Sequence, residues 1–151
     1  MPIQSGLDES QPAARLRMLI GKLSRRLSRV QAGAGLTPTE LAVLAAVARR
    51  GPLGLAELSS REGINPTMLS RIASKLGDGG LVARQTDPRD RRAAQLVATE
   101  QGRRLHRRIR AERNDILSQR LRSLPPRQRQ LVIDALPALE ALTEALLDPG
   151  A

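Results

Sequence analysis

The stretch that decides the fold is LAELSSREGINPTMLSRIASKLGDGGLVARQTDPRDRRAAQLVA, residues 55–98. A short helix is predicted over Leu55–Arg61, followed by a four-residue turn in which Gly63 can adopt a positive φ. Asn65 is a suitable N-cap for a second helix, and Pro66 suits its first position. Two helices joined by a short turn that contains glycine form a helix-turn-helix.

The second of these helices, predicted over Pro66–Gly79, has two different faces. Leu69, Ile72, Ala73 and Leu76 recur at helical spacing and are expected to pack inward. The other side has no acid before Asp78 and carries the residues that we predict to bind DNA: Asn65, Thr67, Met68, Ser70, Arg71, Ser74 and Lys75. Such side chains can bond phosphates and base edges. The alternative is an ordinary helical hairpin with a solvated polar face.

A small hairpin is predicted next, with strands Leu81–Gln85 and Ala94–Ala98. Asp87-Pro88 is a favourable pair for the first positions of a type I turn. The tip of the hairpin combines three arginines with one acid, namely Arg89, Arg91, Arg92 and Asp90. An exposed arginine at a narrow tip suits the DNA minor groove, where negative potential is concentrated. The alternative is a solvated turn in which Asp90 only pairs with a neighbouring arginine.

Helices are predicted on both sides of this unit. The first begins near Pro12, ends at the glycines around 33–35, and has an apolar face that includes Leu16, Leu19 and Leu23. Its basic face is expected to be solvated, with contact to the DNA backbone as the alternative. Thr37 and Glu40 form a predicted capping box around Pro38, which begins a buried helix Pro38–Arg49.

Two further helices follow the hairpin. Thr99 is expected to cap a helix from Glu100 to about Leu121. Pro125-Pro126 opens a last helix that extends to about Leu147, and Pro137 should bend it or break it locally. The last helix presents a leucine face that includes Leu136, Leu139, Leu142 and Leu146.

The charge of the chain points to a polyanionic partner. The net charge is +10, and residues 61–110 alone carry 12 basic and 5 acidic groups. A basic surface of this kind is typical of proteins that bind nucleic acid, although it also occurs where charge only aids solubility. There is no Phe, Tyr or Trp for stacking on unpaired bases, which argues against a single-strand or RNA reader.

Several functional classes are excluded by composition. The absence of cysteine rules out disulfides and zinc–thiolate sites and is consistent with a cytoplasmic location. No apolar run is long enough to span a membrane, and the start of the chain does not have the pattern of a signal peptide. His106, the only histidine, is flanked by arginines without a catalytic partner, so we assign it a surface or subunit-contact role. We expect neither an enzyme, nor a cofactor, nor a metal site.

The order of these elements and the hairpin sequence resemble the MarR family of bacterial winged-helix transcriptional regulators. The residues that carry the resemblance are LGDGGLV from Leu76 to Val82, Arg84, the tip Asp87–Arg92, and the segment Thr99–Gly102. The match covers roughly residues 37–147, and the hairpin motif is its most specific part.

The resemblance implies a mainly α fold with a small β wing, in which a winged helix-turn-helix lies between N- and C-terminal dimerisation helices. The implied parts are a flexible tail (1–11), a dimerisation helix (12–35), a DNA-binding domain (36–99) and C-terminal dimerisation helices (100–148). It also implies that Arg92 enters the minor groove and that Asp90 holds the wing in shape. The weak strand start at Ala93-Ala94 and the position of Pro137 depart from the family pattern.

The expected function is therefore that of a homodimeric repressor that binds a palindromic double-stranded DNA operator. By resemblance, a small-molecule ligand would release the protein from its operator. The alternative is an architectural module that coats DNA without sequence preference and uses its leucine face to bind another protein. A palindromic fragment that competes far better than random DNA would distinguish the two functions.

Overall fold

The computed structural model describes residues 10–29 and 35–147. Its elements, in chain order, are α1 (Ser10–Arg29), α2 (Pro38–Arg50), β1 (Leu53–Gly54), α3 (Leu55–Glu62), α4 (Pro66–Asp78), β2 (Val82–Thr86), β3 (Ala94–Ala98), α5 (Glu100–Ser123) and α6 (Pro126–Leu147). They divide into two compact units, one extending through Ala111 and the other starting at Glu112. The predicted class, mainly α with a small β wing, is confirmed.

The predicted boundaries are close to the observed ones. The first helix begins at Ser10 rather than Pro12, and the residues Gly33 and Ala34, predicted to end it, lie outside the described residues. The helices α2, α3 and α5 extend one or two residues further than predicted, while α4 ends one residue earlier and β2 is displaced by one residue. Differences of this size are expected because the last turn of a helix frays.

The predicted caps set the starts of α2 and α4. The Thr37 hydroxyl accepts a hydrogen bond from the Glu40 backbone N–H, and the Glu40 carboxylate accepts one from the Thr37 N–H. The Asn65 side chain accepts from the Met68 N–H at 2.8 Å. Gly63 adopts φ 62° between α3 and α4, as the turn requires. These interactions satisfy N–H groups that the first turn of a helix leaves without partners.

The core of the first unit is aliphatic. Its largest fully buried side chains are Leu44, Leu58, Leu69, Leu76, Leu96 and Val43. They come from α2, α3, α4 and β3, so the core lies between the three helices and the sheet. The inward face predicted for α4 is confirmed, because Leu69, Ile72, Ala73 and Leu76 are all buried.

The sheet has three antiparallel strands in the order β1-β3-β2. Leu53 of β1 pairs with Leu96, and Val82 and Thr86 of β2 pair with Ala98 and Ala94. The two-residue strand β1 was not predicted, because a strand this short has no periodicity of its own. Only the base of the hairpin is buried, and most of β2 is exposed. The hairpin therefore extends from the core as a wing.

A junction at Thr99 joins α4, the wing and α5. The Thr99 hydroxyl donates to the Gly80 carbonyl at 2.6 Å and accepts from the Gly102 N–H at 3.0 Å. The Thr99 N–H donates to the Leu81 carbonyl, and the Leu81 N–H donates to the Leu76 carbonyl. A Cβ at position 102 would overlap the Leu81 carbonyl oxygen, so only glycine allows α5 to approach this closely.

The second unit contains the end of α5 and the helix α6. The sequence predicted that Pro137 would bend or break the last helix, but α6 continues through it from Pro126 to Leu147, so the break was wrong. Of the two predicted effects of an interior proline, a bend is the one that a continuous helix allows. In α6 every side chain from Gln130 to Leu146 is exposed.

The seven leucines predicted for dimerisation lie on α1 and α6. Leu16 is half-buried, and the others are exposed: Leu19, Leu23, Leu136, Leu139, Leu142 and Leu146. No residue of Ser10–Arg29 is buried. Across residues 10–29 and 35–147, no helix is both long and apolar enough to cross a membrane.

We predict that Gly102→Ala destabilises the protein by about 2–3 kcal/mol, because the added methyl group must displace the Leu81 backbone. Gly77→Ala is the matched control. It lies inside α4, where a Cβ would meet only the Val82 carbonyl oxygen at 3.9 Å, so it should stabilise the protein by about 0.5–1 kcal/mol. Urea unfolding measures both changes, and equal effects of the two substitutions would contradict the role of the junction.

Candidate nucleic-acid interface

The exposed face of α4 contains the side chains that the sequence assigned to DNA binding. Thr67, Ser70, Arg71, Ser74 and Lys75 are all exposed. Met68 is 45% exposed although it is apolar, and it lies beside them in the first turn of the helix. The helix begins at Pro66 and is held by its buried face, so these side chains project from a fixed support.

Asn65 has a structural task at the start of this face. Its side-chain oxygen accepts the Met68 N–H and closes the first turn of α4. The amide nitrogen of the same side chain is then the group that can donate to a phosphate or a base. Replacing Asn65 would therefore change the helix start as well as any contact with DNA.

Lys75 has an acidic partner that the sequence did not reveal. Its Nζ donates to both carboxylate oxygens of Glu40, at 2.8 and 3.0 Å. The residues of α4 itself include no acid before Asp78, as the sequence indicates, but α2 places Glu40 against this helix. The side chain of Glu40 is only 8% exposed, whereas that of Lys75 is 54% exposed.

The environment of Glu40 favours its charged form. Burial alone would raise the pKa of this carboxyl, but the hydrogen bond from Lys75 and those from Thr37 outweigh it and hold the pKa below its ordinary value of 4.5. Glu40 is therefore a carboxylate at neutral pH. It closes the capping box of α2 and pairs with the cation on α4.

Two aspartates shape the tip of the wing. The Asp90 carboxylate accepts the Arg92 N–H at 2.9 Å, and the Asp87 carboxylate accepts the Arg89 N–H at 2.8 Å. The Ala93 N–H donates to the Asp90 carbonyl, so the hydrogen-bonded turn spans residues 90–93. At the predicted Asp87-Pro88 turn the chain bends at residues 88 and 89, and the Asp87 side chain binds the Arg89 N–H there.

The three arginines of the tip, Arg89, Arg91 and Arg92, are exposed. Of the ion pairs among residues 10–29 and 35–147, none joins an arginine to Asp87 or Asp90. The carboxylates bind backbone N–H groups and leave the guanidinium groups at the surface. This geometry differs from the solvated turn in which Asp90 only pairs with a neighbouring arginine.

A chain of side-chain amides supports Asp87. Gln95 of β3 donates to the second oxygen of Asp87 at 3.0 Å and accepts from Gln85 of β2 at 3.3 Å. Gln95 and the role of Asp87 were not predicted from the sequence. Side chains alternate between the two faces of a strand, and this alternation could have indicated that Gln85 and Gln95 lie on the same face. No local pattern connects Glu40 to Lys75, which lie 35 residues apart.

Comparison with known proteins agrees with this geometry. The family model described as "MarR family" matches residues 36–94, which contain α2, α3, α4, β2 and the start of β3. The transcriptional regulator Tm0710 from Thermotoga maritima superimposes with a TM-score of 0.76 at 25% identity, over 91% of this chain and 98% of that one. Over residues 36–94, the chain matches the MarR family. It is therefore a transcriptional regulator that binds DNA and not an enzyme.

Two relatives extend the comparison. The HTH-type transcriptional regulator Mb0904 of Mycobacterium bovis is 26% identical over 136 residues, which cover 90% of this chain and 95% of the relative. The HTH-type transcriptional repressor MdtR of Bacillus subtilis is 30% identical over 87 residues, covering 58% of this chain and 56% of that protein. Among the described residues of this chain, no three His, Asp or Glu side chains gather as a metal site.

For the wing, we predict that Asp90→Ala weakens DNA binding by about 0.5–1.5 kcal/mol relative to Asp90→Asn. Both substitutions remove the same negative charge, but asparagine keeps an oxygen that can accept the Arg92 N–H. Fluorescence anisotropy on one duplex measures the difference. Equal affinities of the two variants would show that the hydrogen bond does not matter for binding.

For Glu40, we predict that Glu40→Gln lowers the free energy of unfolding by about 1 kcal/mol at neutral pH, since its exposed partner Lys75 can recover hydration. A lowered pKa in the folded state stabilises it above the ordinary value of 4.5, and this contribution disappears as pH falls through the lowered pKa. The wild type and the variant should therefore converge in acid. Urea unfolding at several pH values measures the free energy of unfolding of both proteins. A difference between them that stays constant down to strongly acidic pH would contradict the prediction.

Proposed function

We propose that this protein is a homodimeric repressor that binds a palindromic operator through α4 and the wing. The observation that carries the proposal is the arginine tip. Its backbone is held by Asp87 and Asp90 while its guanidinium groups remain exposed, on the same domain as the polar face of α4. An arginine-tipped hairpin beside an exposed helix suits simultaneous binding in adjacent minor and major grooves.

Each group of side chains has a distinct task in this proposal. Arg71 bonds a guanine edge or a phosphate, and Thr67, Ser70 and Ser74 bond base edges or phosphates. The exposed Met68 provides an apolar contact, for which the thymine methyl group is suitable. Arg92 enters the minor groove, and Arg89 and Arg91 contact the flanking phosphates.

The proposed dimer depends on the apolar faces of α1 and α6. Leu19 and Leu23 on α1 are about half exposed, and on α6 Leu136 is 48% exposed and Leu146 is 77% exposed. Exposed apolar side chains that recur along one helix are typical of a protein interface. A two-fold dimer would present two copies of α4 to half-sites about 10 bp apart or a multiple of that spacing.

Repression and location complete the proposal. The relative MdtR is named as a repressor, and a dimer bound across an operator can block access to a promoter. Because its target is chromosomal DNA, the protein is expected to act in the cytoplasm.

The experiment that tests this function is competition between DNA fragments. Fragments from the upstream region of the protein's own gene should include one that competes far better than random DNA. Hydroxyl-radical footprinting on that fragment should give two protected half-sites related by two-fold symmetry. Equal competition by random DNA would favour the architectural module instead.

We predict that Arg71→Ala and Arg92→Ala each weaken operator binding by about 1–3 kcal/mol. Arg127→Ala, which removes the same charge from α6, is the matched control and should leave affinity unchanged. Anisotropy titration at one fixed salt concentration measures all three variants. If Arg92→Ala bound the operator as tightly as wild type, the minor-groove role of the wing would be wrong.

We also propose that a small-molecule ligand releases the protein from DNA. A cavity of about 590 Å³ lies between Leu36, the end of α4 and the first turns of α5. Its walls combine the apolar side chains of Leu81 and Leu105 with Arg104. This size and lining suit a small organic acid, whose carboxylate Arg104 would bind.

We predict that salicylate at millimolar concentration lowers DNA affinity in the wild type, because it fills this cavity and pairs with Arg104. Arg104→Ala should keep most of the affinity for DNA but no longer respond to salicylate. The readout is anisotropy with and without the ligand. An equal response of both proteins would place the ligand at another site.

A further inference from the structure

The ion pair between Glu40 and Lys75 bears on how tightly the protein binds DNA of any sequence. We infer that Glu40 withholds Lys75 from DNA phosphates, so that Lys75 holds α4 on α2 and adds no phosphate contact. The inference rests on the proposed function, because it concerns the face of α4 that binds DNA. It assigns to Lys75 a different role from the one expected from the sequence.

The Glu40 carboxylate is fixed by the hydrogen bonds that it accepts. Both oxygens of Glu40 accept from Lys75 Nζ, and one of them also accepts the Thr37 N–H at 2.8 Å. The carboxylate is thus bound at the start of α2 and cannot follow the lysine outward. A lysine that moved to a phosphate would leave this carboxylate without its cation.

Lys75 can contact either the Glu40 carboxylate or a DNA phosphate, and the two contacts differ in free energy. The Glu40 side chain is 8% exposed, so water cannot replace the lost cation fully. Leaving a buried charge without a partner is costly, and the cost exceeds the gain from one exposed phosphate contact. The free energy therefore favours keeping the pair when DNA is bound.

The position of Lys75 on α4 also places it close to α2. Thr67, Arg71 and Ser74 follow at i, i+4 and i+7 and form one exposed stripe. Lys75 lies beside this stripe, next in the helical rows to Ile72, which is buried. It is thus at the edge of the exposed face, on the side where α2 contributes Glu40.

The consequence is weaker binding to random DNA. Each phosphate that a protein neutralises adds about 0.9 to the slope of log affinity against log salt. By occupying Lys75, Glu40 removes one such contact per subunit. The protein would gain selectivity for its operator because the base contacts of the exposed stripe are unaffected.

The test is the salt dependence of binding to a random-sequence duplex, followed by anisotropy. The variants are Lys75→Gln, Glu40→Gln and the double variant. Glutamine at position 40 can still accept the Thr37 N–H, since either Glu or Gln can complete a capping box. Glu144→Gln on α6 is the control for net charge, because it removes the same charge away from the pair.

Lys75→Gln should leave the wild-type slope unchanged, and Glu40→Gln should steepen it by about 0.9 per subunit. The double variant should return to the wild-type slope, which a mere loss of stability in Glu40→Gln would not produce. If Glu40→Gln does not fold, Lys75→Gln alone decides the question, because it keeps both capping bonds of α2.

A flatter slope for Lys75→Gln in the wild-type background would overturn the inference, since Lys75 would then neutralise a phosphate despite Glu40. An unchanged slope for Glu40→Gln would also overturn it. Either result leaves the proposed function intact, because the wild type still binds DNA. Wild-type protein that bound no duplex would contradict the proposed function, and this inference with it.

Discussion

The hydrogen bonds of Thr99 are the constraint on which the winged domain depends. One hydroxyl binds both the Gly80 carbonyl at the end of α4 and the Gly102 N–H in the first turn of α5. The same residue ends β3 through its N–H bond to Leu81, the residue before β2. Because four elements meet here within a few residues, α4 and the wing cannot move far relative to each other. Gly80, at φ 71°, and Gly102 supply the backbone freedom and the space that this arrangement needs.

This junction gives a physical reason for the motif that carried the family resemblance. The motif includes five residues that form this junction: Leu76, Gly80, Leu81, Thr99 and Gly102. They are separated in the sequence but contact one another in the structure. The pattern thus describes how α4 is attached to the wing. The side chains that we propose to contact bases lie outside it, on the exposed face of α4, and they can vary without disturbing the attachment.

Local chemistry explains what the sequence could predict. The caps at Thr37 and Asn65 and the inward face of α4 depend on neighbours within one or two turns, and all were predicted correctly. The strand β1 was missed because its two residues pair only with the distant β3. The pairing of Glu40 with Lys75 was missed for the same reason, since it depends on how α2 packs against α4. Pro137 was predicted to bend or break α6; the break was wrong because the helix continues through it, and the bend stays a prediction.

The basic side chains of the domain differ in whether an acidic side chain pairs with them. The wing arginines are exposed because Asp87 and Asp90 bind backbone N–H groups, whereas Lys75 is paired with a buried carboxylate. Net charge alone therefore overestimates the number of cations that can meet DNA. Charge placed on a positioned hairpin supports selective binding better than the same charge spread over a surface, because only a positioned group can match one groove.

Native-state hydrogen exchange tests most directly the claim that α4 and the wing form one unit. The amides of Leu81, Thr99 and Gly102 all donate hydrogen bonds within the junction. They should exchange only with the free energy of global unfolding of the domain, and all three should have the same value. Exchange of these amides through a local opening of much lower free energy, while the amides of the α2 core remain protected, would contradict the account.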